Sequence, residues 1–227
     1  MKTVLIPELQ TARGRSSGQA PLDARGADWR GEDLKGLDLS EAKLCRVDLR
    51  GADLSGACLK DADLRLAKYD QWTIWPDEFQ ARSCGAIGPG ARLNGQFFNG
   101  ADLRHLNLAG ASFLGAYLSG ADLSGSVLDD VSFVGADLRL ASFKGAHCHR
   151  ARFGTAQLDG VDFRGADLTD ADIASCETIK GADFSLCIGI TELAREFLQR
   201  DAIELDSWNP LTRSHTRSSL ESLGQKE

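Results

Sequence analysis

Residues 91–175 read ARLNG QFFNG ADLRH LNLAG ASFLG AYLSG ADLSG SVLDD VSFVG ADLRL ASFKG AHCHR ARFGT AQLDG VDFRG ADLTD ADIAS. Cut every five residues, the chain keeps one grammar. Position one is small or aliphatic, usually Ala. Position two is mostly Asp, position five is often Gly, and position three is large and apolar, as in Phe113, Phe143 and Leu168. The same phase runs upstream from Ala27 to Pro76, ADWRG EDLKG LDLSE AKLCR VDLRG ADLSG ACLKD ADLRL AKYDQ WTIWP. A last unit, ADFSL (Ala182–Leu186), stands one residue out of phase after Cys176–Gly181. That makes ten units, then seventeen, then one. A period of five matches neither the 3.6 of a helix nor the 2.0 of a strand. It predicts a chain that turns a corner every five residues, with positions one and three inward and the rest in solvent. Stacked coils then bury a Leu/Phe column that no single unit could bury. Gly at position five suits the dihedrals of a tight corner.

On these units the sequence resembles the pentapeptide-repeat family, whose pattern is A(D/N)LXX. The resemblance implies an all-β solenoid, a right-handed four-sided parallel β-helix with four units per coil. Twenty-eight units make seven coils, a rod roughly 34 Å long at the inter-strand spacing of a sheet. The expected organisation is an N-terminal lead-in over 1–26, a first repeat block over 27–76 and an inserted loop over 77–90. A second block then covers 91–186, a capping helix 187–206, and a disordered tail 207–227. In ITELAREFLQRDAIEL (190–205), Thr191 is the expected N-cap, and Leu193, Ala194, Phe197 and Leu198 share a face. That face either covers the open end of the solenoid or pairs with a second copy as a homodimer. Trp72 occupies a small position it cannot fill inward, so Trp72, Trp75 and Phe79 are expected to fold over the base of the loop, as structural cover or as a contact for a partner.

The 227 residues carry a net charge of −7, and no basic stripe of the kind nucleic-acid binders present. Six irregularly spaced Cys do not make a disulfide framework, which points to a reducing, cytoplasmic setting, and the resemblance implies a bacterial protein. No apolar run long enough to span a membrane occurs, and the opening MKTVLIPELQ is too short in its apolar part for a signal peptide. Phosphate loops, paired CxxC motifs, zinc-protease helices and serine elbows are all missing, and a filled β-helix has no cavity. The expectation is a protein without enzymatic activity and without cofactors.

With four units per coil, residues twenty apart lie one above another. Asp102, Asp122, Ser142 and Asp162 then stack on one side, with Arg104, Ser124, Lys144 and Arg164 alongside, a mildly acidic and well neutralised wall. At another corner Phe97 and Tyr117 stack outward, with Leu114 and Val134 outward on the neighbouring side. This apolar group is either covered by the loop or the N-terminal segment, or it is a protein-binding surface. His147 and His149 share a side with Asp129 and Asp167. The favoured reading is surface histidines beside acids with no metal, and the alternative is a zinc site. The functional expectation is a rigid scaffold that binds a macromolecular partner through an outer side, a corner or the loop. The resemblance adds an alternative: some members mimic DNA, bind DNA gyrase and protect it from quinolones. The arginines beside the Asp ladders weaken that alternative, because a phosphate lattice has no interleaved positive charge.

Overall fold

Parallel backbone bridges join residues twenty apart. In the computed structural model, which describes residues 11, 12, 14 and 20–223, one ladder runs Arg92, Ser112, Ser132, Arg152, Asp172. Three others start at Phe97, Asp102 and Asn107, and they reach Thr178, Asp183 and Ile188. Four ladders with rungs of five residues define four sides. The rungs are held by backbone bonds such as Leu93 N–H to the Ser112 carbonyl (2.7 Å) and Ser132 N–H to the Ala111 carbonyl (3.0 Å). Corners close within the chain, as where Ala101 N–H donates to the Phe98 carbonyl at 2.9 Å. In most units position five is left-handed whether or not it is Gly: Gly100 has φ +65° and Leu140 φ +60°. The corner geometry is therefore imposed by the stack, and Gly is the residue that meets it without a Cβ penalty.

The chain divides into two compact units, residues 1–91 and 92–227. In the second, position three is buried in every unit and position one in nearly all, Gln96, Ala101 and Ala171 being half-buried. Six of its inward phenylalanines form columns on two opposite sides. Phe113, Phe133 and Phe153 stack along one (5.4 and 5.3 Å), and Phe143, Phe163 and Phe184 along the other (5.0 and 5.4 Å). The two columns meet edge-on across the core, Phe133 on Phe143 at 85° and Phe153 on Phe163 at 87°. Each buried ring contributes roughly 1.5–3 kcal/mol through area alone, and the stacked and edge contacts add to that. Cys176 still fills the buried position one, and with one extra residue at Glu177 the bridges lengthen to twenty-one, Gln157 to Thr178 and Asp162 to Asp183.

In the first unit the ladder begins at Asp23, paired with Lys43, and Leu22 and Ala24 are buried. LDARG (22–26) is thus a coil residue set rather than lead-in. The expected flexible stretch before it falls largely outside the described residues. At YDQWTIWP the phase slips by one. Thr73, not Trp72, takes the buried small position and donates to the Leu49 carbonyl (2.9 Å), while Ile74 pairs with Asp53. The slip frees Trp72, which is 68% exposed rather than folded over the loop. Ala86 and Ile87 re-enter the stack, with Ile87 bridged to Lys68, so AIGPG (86–90) is itself a repeat unit. The excursion ends before 86 and contains a short 3-10 turn at Ala81–Ser83.

The C-terminal segment differs most from expectation. Two short helices stand where one was expected, α1 (Thr191–Phe197) and α2 (Ala202–Leu205). Thr191 is the first helical residue and Ile190 the cap, with no side-chain capping bond. Ala194 and Phe197 are buried, and the Phe197 ring meets Phe184 at 5.8 Å, which continues the aromatic column into the helix. The apolar face of α1 is thereby used within the chain. The tail is ordered through residue 223: β1 (Trp208–Asn209) pairs antiparallel with β2 (Ser214–His215), and α3 (Thr216–Glu221) follows. Its polar residues serve backbone groups of the last coil. Asn209 Nδ2 donates to the Gly160 carbonyl (3.3 Å), and the Phe184 N–H donates to Ser219 Oγ (3.1 Å). Ser214 Oγ donates to Asp183 Oδ2 at 2.6 Å. A segment rich in Ser and Thr reads as disordered because it lacks apolar periodicity; here its Asn209, Thr216 and Ser219 are buried because the end of a β-helix needs hydrogen-bond partners.

Candidate interaction surface

Most outward side chains on these walls sit at position two or four of a unit, and the two positions interlock. A position-four arginine doubles back on the Asp two residues before it: Arg104 Nε and Nη2 both donate to the Asp102 carboxylate at 2.9 Å. Arg30, Arg50, Arg65, Arg139 and Arg164 repeat the fork on Asp28, Asp48, Asp63, Asp137 and Asp162, at 2.6–2.9 Å. Position four also reaches position two of the next coil, eighteen residues on, as in Lys35 to Asp53 (3.1 Å) and Arg104 to Asp122 (3.7 Å). The arginine fork lowers the Asp28 and Asp137 carboxylates against the opposing effect of burial.

The Phe97 side of the second unit departs from this pattern. Phe97 and Tyr117 occupy position two in place of Asp, and their rings lie nearly parallel, 4.7 Å apart and 7° inclined. They remain 72% and 44% exposed. On the adjoining side Leu114 is 41% exposed, whereas Val134 directly beyond it is half-buried. The Leu114 backbone is set by Asn94, whose Oδ1 accepts its N–H (3.1 Å) and the Ser112 hydroxyl (2.6 Å). Of the six apolar candidates, Trp75 and Phe79 belong to the first unit. There they stack on each other at 5.2 Å, with Tyr69 edge-on to Trp75 at 5.5 Å, and both are half-buried. They form an aromatic cluster of the excursion itself.

The histidines also separate. The His147 backbone pairs with Asp167 in the ladder, but the Asp167 side chain goes diagonally to His149, Oδ2 to Nε2 at 2.7 Å. Asp167 accepts the Thr169 N–H and hydroxyl as well, and Asp129 accepts only the backbone N–H of His149. The hydrogen bond to Asp167 raises the His149 pKa. For Asp167, burial pulls upward, but the bonds from Thr169 and His149 outweigh it and hold the carboxyl at about 2. His147 is exposed, its ring 6.5 Å from that of His149. Among the described residues no group of three or more His, Cys, Asp or Glu is placed to hold a metal ion.

One concavity was not legible in the sequence. Where β1 crosses the corner, Leu140, Asp159, Lys180, Trp208 and Pro210 line an open groove of about 380 Å³. The Trp208 indole is braced edge-on by His215 at 5.1 Å. Burial pushes the Asp159 pKa up. The Trp was the available signal, hidden in a segment read as disordered. Among the described residues no helix is long and apolar enough to cross a membrane.

The repeats also match known proteins. A family model described as pentapeptide repeats (8 copies) matches residues 33–65, 90–125 and 146–188, and a second, pentapeptide repeats (9 copies), matches 108–157. Among curated proteins nothing matches. Solved structures similar to the chain include a pentapeptide repeat protein from the Arabidopsis thaliana thylakoid lumen. It is 26% identical, with TM-score 0.42 over 58% of this chain and 88% of that one. HetL from the cyanobacterium Nostoc, a pentapeptide repeat protein involved in heterocyst differentiation regulation, is 24% identical, with TM-score 0.33 over 82% and 90%. Full-length QnrB1, a plasmid-mediated fluoroquinolone resistance protein, is 19% identical, with TM-score 0.31 over 78% and 90%. The TM-scores lie below 0.5, so the assignment rests on the repeats, which the two family models together match over more than half of the sequence. With its five-residue grammar and its four ladders of twenty-residue period, the chain belongs to the pentapeptide-repeat family.

Proposed function

We propose that this protein is a non-enzymatic interaction scaffold that binds a protein partner through the outer corner formed by Phe97, Tyr117 and Leu114. The observation that carries this reading is the exposed face-to-face stack of Phe97 and Tyr117. It stands at ladder positions that elsewhere hold Arg-paired Asp. Two aromatic rings left in water on a rigid wall cost free energy in the lone protein and return it when a partner covers them. The wall is already ordered, so little conformational entropy is lost on docking. Six cysteines, all free, support a cytoplasmic location. The test is affinity capture with the parent and with Leu114→Asp/Tyr117→Asp, each checked by circular dichroism. Partners retained by the parent and lost by the folded variant support the corner; identical captures remove it.

Gyrase binding by DNA mimicry is the second reading, and the net charge of −7 is what favours it. The forked arginines weigh against it, since duplex DNA presents roughly one negative charge per 1.7 Å with none of the opposite sign. Supercoiling by gyrase, titrated with this protein with and without a quinolone, separates the two. Protection or inhibition supports mimicry, and no effect leaves the corner reading.

A further inference from the structure

Resting on that reading of the corner, we propose that the partner presents an extended acidic segment, recognised by Arg92 and Arg152 at the two ends of the strip beside Leu114. Both arginines occupy position two, the place of the ladder Asp, so neither has the carboxylate that forks with Arg30, Arg104 or Arg164. Their position-four neighbours are Asn94 and Gly154, which carry no charge. Both guanidinium groups are exposed, and neither has an ion-pair partner among the described residues. Asp172, on the rung after Arg152, accepts the Ser175 hydroxyl (3.2 Å) and makes no ion pair with Arg152.

Between the two arginines the ladder holds only Ser112 and Ser132, flanked at position four by Leu114 and Val134. The Ser132 hydroxyl is unusual: the residue is 2% exposed, yet its oxygen has no hydrogen-bond partner among the described residues. The local charge runs against that of the whole chain. Residues 91–121 contain one acid, Asp102, which Arg104 neutralises, so Arg92 adds uncompensated positive charge beside the exposed aromatic pair. Three rungs separate Arg92 from Arg152, roughly 14 Å at the spacing of a parallel sheet. Two carboxylates about four residues apart in an extended chain span nearly the same distance, at about 3.3 Å per residue. The middle residue, which in an extended segment faces the same way as the two carboxylates, would lie over Leu114 and Val134. The recognised chemistry is therefore Glu-x-x-x-Glu in an extended segment with an apolar middle.

The experiment uses the full chain and an immobilised peptide of the form Glu-Ser-Leu-Ser-Glu, in which the central Leu faces the same way as both Glu, its Lys-for-Glu counterpart, and single-stranded oligothymidine. Binding of the acidic peptide that falls with added salt, and that weakens at least about tenfold in Arg92→Glu/Arg152→Glu, is the expected result. The double variant should gain the Lys peptide, a charge-swap rescue that loss of fold cannot produce. Oligothymidine binding that depends on the same two arginines would overturn the proposal in favour of a nucleic-acid partner. Acidic-peptide binding lost in Leu114→Asp/Tyr117→Asp but unchanged in the arginine variant would sink the charge assignment and leave the corner standing. Binding indifferent to both variants, or no binding of the acidic peptide, would overturn the inference; the capture experiment judges the corner separately.

Discussion

Gly88 lies against the ring of Tyr69 in the coil before it: a Cβ at residue 88 would stand 2.7 Å from three ring carbons. The repeat unit AIGPG has no large centre because the Tyr69 ring already fills that space, and the Tyr69 hydroxyl donates to the Pro89 carbonyl at 2.8 Å. Burial pushes that hydroxyl's pKa up to about 12.

Gly88→Ala is therefore expected to lower unfolding free energy by about 1–3 kcal/mol through overpacking. In a Tyr69→Ala background the same change should cost far less. Urea denaturation of the four proteins in the cycle measures the coupling, and additive effects would place the ring elsewhere.

The left-handed corners predict opposite signs for two exchanges. Glu41 holds φ +57°, so Glu41→Gly should stabilise by up to about 1 kcal/mol by relieving Cβ strain. Gly120 holds φ +69° with nothing within 4 Å of a Cβ, so Gly120→Ala should destabilise by about 1 kcal/mol for conformational reasons alone. Denaturation midpoints check both signs.

Phe163 touches Phe143, Phe153 and Phe184. Phe163→Ala should cost about 3–5 kcal/mol by leaving a cavity where the two aromatic columns meet. A loss below 1 kcal/mol would mean the core collapses to fill the gap.

Asp183 ties the C-terminal segment to the last coil. Burial raises its pKa, but hydroxyl and N–H bonds, chiefly from Ser185 and Ser214, bring it below the ordinary carboxylate value. Asp183→Ala should expose residues 207–221 to limited proteolysis well before the repeats unfold, and Asp183→Asn should do so less. Equal protease resistance in all three would show that the segment is held by its apolar contacts alone.

The His149–Asp167 pair has a defined pH window. His149 has a raised pKa, so its share of stability is full below about 6.5 and is lost as pH rises through the raised value. Asp167 is depressed to about 2, so its share is full above about 4 and is lost as pH falls through about 2. The pair is at full strength between about pH 4 and 6.5. In Asp167→Asn the His149 imidazole should titrate lower than in the parent by NMR; an unmoved midpoint would dissociate the two groups.

Much of this was readable from residues alone because the period is rigid. Any residue's ladder partner is found by adding twenty, which placed Phe97 on Tyr117 and Asp102 on Asp122. The rule failed where one residue was inserted or dropped. Trp72 read as inward because the slip at Thr73 leaves no local mark, and AIGPG was missed because its centre is Gly. The His147–Asp167 pairing was right for the backbone, yet the ion pair went to His149, since position four leans toward the next coil.

The sequence by itself determined the coil, because a five-residue repeat of small and large apolar residues has one way to bury both and satisfy its backbone. Tertiary structure alone decided the ends and the outer walls. Which acid the His149 ring takes and what a serine-rich tail covers depend on neighbours eighteen to forty-nine residues away. No local pattern encodes those distances.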